Sequence, residues 1–170
     1  MDRGVTATTL DPLVQRVREM NLRLHRVLAG AGAGVLATVA MTAALAAFKS
    51  VGLLGEPPPK KLTRRVLKAV GARPSRGASL GAASLVAHAG YGAAMGMVYG
   101  LVPRRAHTIA GGAAFGLAVW ALSYVGWIPK LGLMPPPSRD RPGRPTAMIL
   151  SHLVYGATLG AVDRGRIAQA

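Results

Sequence analysis

The sequence predicts an all-α integral membrane protein: a four-helix bundle built from two parallel two-span repeats, with amphipathic helices at its surface. Three observations predict it. Four stretches of at least 18 residues contain no Asp, Glu, Lys or Arg. Charged residues make up only 16% of the chain, against about 25% in soluble domains. The pattern H-x-x-Y-G-A-x-x-G occurs twice, at His88–Gly96 and again at His152–Gly160.

The N-terminal residues 1–26 read as a basic amphipathic helix. Thr9-Leu10-Asp11-Pro12 supplies a capping side chain and a proline for the first turn. Leu13, Val17, Met20 and Leu24 then recur at helical spacing, with Arg16, Arg18, Arg23 and Arg26 mostly elsewhere on the wheel. Such a segment lies on a membrane surface, or is solvated, before the chain turns into the bilayer. The membrane domain follows over residues 27–170.

Its four spans are expected at about 27–48, 79–102, 107–128 and 146–163. About 20 helical residues cross a roughly 30 Å hydrocarbon core, and a helix satisfies its own backbone there. A soluble bundle would need a charged face on each helix, and these segments have none. Ala44-Leu45-Ala46 resembles a signal-cleavage site, but the apolar run Val27–Phe48 is longer than the usual signal core, so it reads as a retained span.

Between spans one and two, Pro57-Pro58-Pro59 leads into a basic stretch from Lys60 to Val70. Leu62, Val66, Leu67 and Val70 form one apolar edge of a short helix suited to the headgroup layer, where anionic lipids attract Lys and Arg. Glu56 reads as a solvated loop charge. Pro103 to His107 is short enough to make spans two and three an antiparallel hairpin. Residues 130–144 are proline-rich and read as irregular. Near the end of span three, Tyr124 and Trp127 suit an interfacial aromatic belt, with Trp120 deeper.

The net charge of +15 could suggest nucleic acid. The Lys and Arg residues, however, lie between apolar stretches, which excludes a basic face on a soluble core. The expected partners are the bilayer, its anionic headgroups, and a second copy or a membrane complex. With four spans, nine Lys and Arg fall on the side of the termini and twelve on the other. Those closest to span ends, such as Arg26, Arg104, Arg105 and Arg164, favour cytoplasmic termini. The absence of cysteine removes disulfides, thiolate nucleophiles and cysteine-held metals.

The repeat extends beyond the nine-residue pattern. Leu54-Gly55 precedes one proline triplet and Leu131-Gly132 precedes the other, Pro135-Pro136-Pro137. Each unit holds two crossings, so both copies enter from one side and are related by an axis along the membrane normal. That arrangement predicts His88 and His152 facing each other at similar depth. His88, Tyr91, His152 and Tyr155 are therefore the candidate intramembrane polar site. Intramembrane ionisable residues point inward and mark function. Here they could fix packing by hydrogen bonds, relay protons or a solute, or ligate haem as a histidine pair. No cofactor is required by any of the motifs, and no carboxylate within a span supports hydrolysis or a zinc site. Gly92, Gly96 and Gly100, Gly112 and Gly116, and Gly156 and Gly160 are spaced for close helix packing, within the chain or between copies. Thr38 and Thr42 suit bonds to their own helix backbone.

Gly55-Glu56-Pro57-Pro58-Pro59-Lys60-Lys61, Ala87 to Gly96, Leu131 to Pro137 and His152-Leu153-Val154-Tyr155-Gly156 together resemble the uncharacterised bacterial inner-membrane proteins grouped with YagU. The resemblance covers about residues 27–165 and leaves the N-terminal helix unmatched. It implies a multi-pass protein of the bacterial cytoplasmic membrane, and carries over no catalytic residues. The expected role is a structural or accessory membrane component, with a small transporter or proton conductor as the alternative.

Overall fold

The structure is a computed structural model that describes residues 7–55, 58–72 and 77–167. Glu56, Pro57 and the return segment 73–76 lie outside the described residues. Every regular element described is helical. α1 covers Ala7–Ser50, α2 Pro58–Ala69 and α3 Ala78–Leu101. α4 covers Ile109–Lys130 and α5 Arg144–Ile167. Three stretches are long and apolar enough to cross a membrane, Pro12–Ser50, Ile109–Lys130 and Arg144–Gly165. α3 carries no charged residue, but with His88 and its tyrosines, serines and glycines it is not among the three stretches apolar enough to cross.

The N-terminal basic segment is not a helix of its own. α1 runs unbroken through Arg26 and Val27, because no glycine or proline interrupts residues 13–29. Thr9 to Pro12 lie inside this helix instead of before it. The apolar residues Leu13, Val17, Met20 and Leu24 are all exposed, so among the described residues nothing packs on this half of α1.

α2 begins at the prolines, whose fixed φ and missing N–H suit a first turn. Its buried edge is Pro58 with Leu62 alongside, one turn earlier than the sequence suggests, while Val66 and Val70 are exposed. The second proline triplet folds differently: Pro136 is extended and Pro137–Arg139 form one 3₁₀ turn.

α1 packs along α3, α5 along α4, and α1 along α5. Glycines set the two hairpin contacts. A methyl group added at Gly34 would fall on the Gly92 carbonyl, and one at Gly30 on the Gly96 carbonyl. One at Gly112 would fall on the Gly156 carbonyl, and one at Gly116 on the His152 carbonyl. In each pair a step of four forward on one helix meets a step of four back on the other, so both crossings are antiparallel. Backbones this close gain dispersion contacts that lipid tails cannot replace, the main source of helix association in a bilayer. α1 and α4 end alike. Gly52 and Gly132 take positive φ, and the following Leu53 and Leu133 donate backbone N–H groups to Phe48 and Ile128 carbonyls. This is a glycine C-cap that closes the last turn.

α3 and α4 have no sustained packing against each other. They meet at the loop that joins them, where Tyr99 stacks on His107 at 4.8 Å and tilts against Phe115 at 5.1 Å. His107 there pairs with Asp163 of α5, and the Arg26 guanidinium donates to the Val102 carbonyl at 2.8 Å. Towards α2 the two helices diverge.

Candidate functional site: an apolar cavity between diverging helices

A cavity of about 250 Å³ fills the gap where α3 and α4 separate. α1 contributes Met41 and Leu45, α3 contributes Ala87, His88 and Tyr91, and α5 contributes Met148 and His152. α2 covers one side with Pro58, Pro59, Leu62 and Thr63. Tyr91 and Trp127, at 37% and 39% exposure, stand at its rim on α3 and α4. It therefore opens sideways between those helices.

α4 reaches the cavity through an irregular turn. It is α-helical over Ile109–Trp120 and widens to a π-helix over Ala121–Trp127, where Ile128 N–H bonds back to the Ser123 carbonyl. Two residues favour the widening. The Ser123 hydroxyl donates to the Val119 carbonyl at 2.6 Å and competes with the backbone ladder. Pro129 lacks an N–H and crowds the carbonyl four residues back. The wide turn delivers Ser123, Tyr124, Trp127 and Ile128 to the cavity wall. π-turns inside α-helices are frequent at functional sites for this reason. Tyr124 is not part of an aromatic belt. It is 1% exposed, and its hydroxyl donates to Asp140, which also pairs with Arg144 at 3.0 Å. Trp120 is half-buried.

His88 and His152 line this cavity together, and both also line a smaller recess beneath it with Thr38, Met95 and Tyr155. Their ring nitrogens are differently placed. His152 Nδ1 lies 2.8 Å from the Met148 carbonyl. A carbonyl can only accept, so Nδ1 carries the proton. His88 Nδ1 lies 3.4 Å from Thr42 Oγ1, a long contact, while Thr42 donates its one hydrogen to the Thr38 carbonyl at 2.7 Å. Thr42 can then only accept, and His88 Nδ1 is again the protonated nitrogen. In both neutral rings Nε2 is left as a lone pair.

The two motif tyrosines part company. The Tyr155 hydroxyl is buried and donates to the Gly92 carbonyl at 2.8 Å. Tyr91 instead faces the Trp127 and Ser123 side chains. Of the glycines named from the sequence, Gly92, Gly96 and Gly100 face α1, while Gly112, Gly116, Gly156 and Gly160 make the α4–α5 crossing. Sequence reasoning missed Gly30 and Gly34 as their partners, because the Gly- and Ala-rich start of span one has no distinguishable register. It also missed Thr42 as a histidine partner, and the π-turn, whose signals were Ser123 and Pro129. Among the described residues no group of three His, Cys, Asp or Glu could hold a metal ion.

No family model, no characterised protein and no solved structure matches the chain. The site must therefore be read from its own chemistry.

Proposed function

We propose that this is a four-span protein of the bacterial cytoplasmic membrane, of the YagU-like group, that holds a small membrane-dissolved molecule in the lateral cavity. One observation carries the reading: the two histidines of the repeated motif line a single apolar space that opens between helices, where the surrounding solvent would be lipid. Sites between helices of a bundle, mostly apolar with a few convergent polar groups, are the usual form of a small-molecule site.

α3 is taken as the fourth span. Its 24 residues extend about 36 Å, and it has no charge to keep it from lipid. The pairs α1–α3 and α4–α5 are taken as two parallel units, supported by their matching antiparallel glycine crossings and glycine-capped first helices. α2 is taken to lie at the headgroup layer, with both termini cytoplasmic.

The proton-conducting reading has less support. Beyond the histidines the bundle is closed by Tyr155, Leu159 and Tyr99, all buried, and conduction needs a continuous polar path. Haem has less support as well: a cavity near 250 Å³ falls below the roughly 300–1,000 Å³ of drug-sized sites. A second reading, an accessory component that docks a partner or another copy, is favoured by the exposed apolar residues on the first half of α1.

The absence of cysteine gives a direct test. Single cysteines at Ser50, Arg105 and Ser138 should react with an impermeant maleimide from opposite sides, Ser50 and Ser138 from one and Arg105 from the other. Labelling of all three from one side overturns the four-span reading. Filling the cavity by Leu45→Trp should abolish uptake of a small brominated aromatic that quenches Trp127 fluorescence in the unmodified protein. Equal quenching in both overturns ligand binding.

A further inference from the structure

The polar groups of the cavity wall are nearly all spent within the protein. Thr63 donates to the Pro59 carbonyl at 2.9 Å, Ser123 to the Val119 carbonyl, and Tyr124 to Asp140. Tyr91 and Trp127 lie against each other at the mouth. What remains further in is the Nε2 lone pair of His88 and of His152. His152 is only 6% exposed, its Nδ1 is committed to Met148, and its Nε2 makes no hydrogen bond among the described residues while staying open to the cavity.

An acceptor left unpaired in an apolar space costs roughly 1–3 kcal/mol, so a group that donates to it is favoured there. We infer that the cavity is built for a ligand that donates: a small hydroxylated aromatic, a phenol or hydroquinone, whose O–H groups are taken by His152 Nε2 and His88 Nε2. This deepens, and rests on, the ligand-binding reading above. The aromatic part follows from the wall. Met41, Met134 and Met148 present thioethers, which make favourable edge contacts with rings. Tyr91 and Trp127 add ring faces at the mouth. The size follows from the volume: an apolar cavity of about 150 Å³ takes benzene, so one of about 250 Å³ takes one ring or two fused rings. A cationic ligand is disfavoured, because no carboxylate lines the cavity to balance it.

The fixed tautomers give the site a direction. A carbonyl-only analogue of the same shape, such as a quinone or an aryl methyl ether, brings acceptors to the two Nε2 acceptors and gains no bond from them.

The test uses the full-length protein in nanodiscs, with empty nanodiscs as reference, and equilibrium dialysis of 2-naphthol, 2-methoxynaphthalene and naphthalene. We expect 2-naphthol to bind roughly tenfold more tightly than either analogue, the worth of a hydrogen bond to an otherwise unpaired acceptor. His152→Leu should erase most of that preference while leaving naphthalene binding in place. Equal binding of all three by the unmodified protein overturns the donor inference and leaves the cavity as a ligand site. Uptake of none beyond empty nanodiscs overturns the ligand-binding reading itself. Because the comparison between ligands is made on the unmodified chain, it holds even if the histidine variant does not fold.

Discussion

The Tyr155 hydroxyl donates to the Gly92 carbonyl across 2.8 Å, joining the tyrosine of one H-x-x-Y-G copy to the glycine of the other. Tyr91, the matching tyrosine, makes no such bond to Gly156 and stands at the cavity mouth. One sequence pattern thus serves two ends, a packing bond in one copy and a cavity wall in the other. Interhelical hydrogen bonds in bilayers average about 0.6 kcal/mol and reach about 1.7. Tyr155→Phe should therefore lower stability only within that range in a bicelle unfolding titration. Tyr91→Phe should leave stability nearly unchanged and alter ligand uptake instead.

Stability depends far more on the glycine crossings. Gly34→Ala and Gly156→Ala place a methyl against a backbone carbonyl of the facing helix, which cannot rotate aside as a side chain would. Each should cost about 1–3 kcal/mol or more, the range for overpacking, seen as a lower melting temperature. Gly90→Ala is the control. It faces open space, and should be neutral or up to about 1 kcal/mol stabilising through helix propensity.

At the α3–α4 loop, His107 is buried, pairs with Asp163 and stacks on Tyr99. Removing one member of a buried pair costs about 3–5 kcal/mol. Asp163 lies near the end of α5 and keeps 13% side-chain exposure, so Asp163→Asn should cost less, about 2–4 kcal/mol. His107→Phe keeps the stacking but strands the carboxylate, and should be at least as destabilising as Asp163→Asn. Weak dependence of either loss on salt would fit a shielded pair.

At the opposite end, Tyr124 and Arg144 both hold Asp140. Tyr124→Phe removes one donor from a carboxylate that stays buried, for an expected loss of about 1–3 kcal/mol. Because Tyr124 also lines the cavity, the same variant should loosen the loop from Leu131 to Gly143. Faster amide hydrogen exchange there, with the α1–α3 crossing unchanged, is the expected readout.

Much of this was visible in the sequence. The uncharged stretches marked the helices, and the ends of α3, α4 and α5 fall within a few residues of those expected. Thr38 and Thr42 do bond their own helix, to the Gly34 and Thr38 carbonyls. The unbroken length of α1 was not legible, because a switch from basic to apolar composition looks like a boundary even where the helix propensities simply continue. Tyr124 near a span end looked interfacial, and only the position of Asp140 turned it inward.

By itself the sequence determined that the chain makes long helices suited to lipid, and which few polar residues those helices carry. Both follow from local properties, the hydropathy of about 20 consecutive residues and the demand that each backbone group be satisfied. Only the tertiary structure decided that α3 and α4 diverge, that a π-turn fills the gap with side chains, and which nitrogen of each histidine holds its proton. Those outcomes depend on atoms brought together from helices distant in the chain, where one carbonyl or hydroxyl within 3.5 Å settles what a residue can still offer.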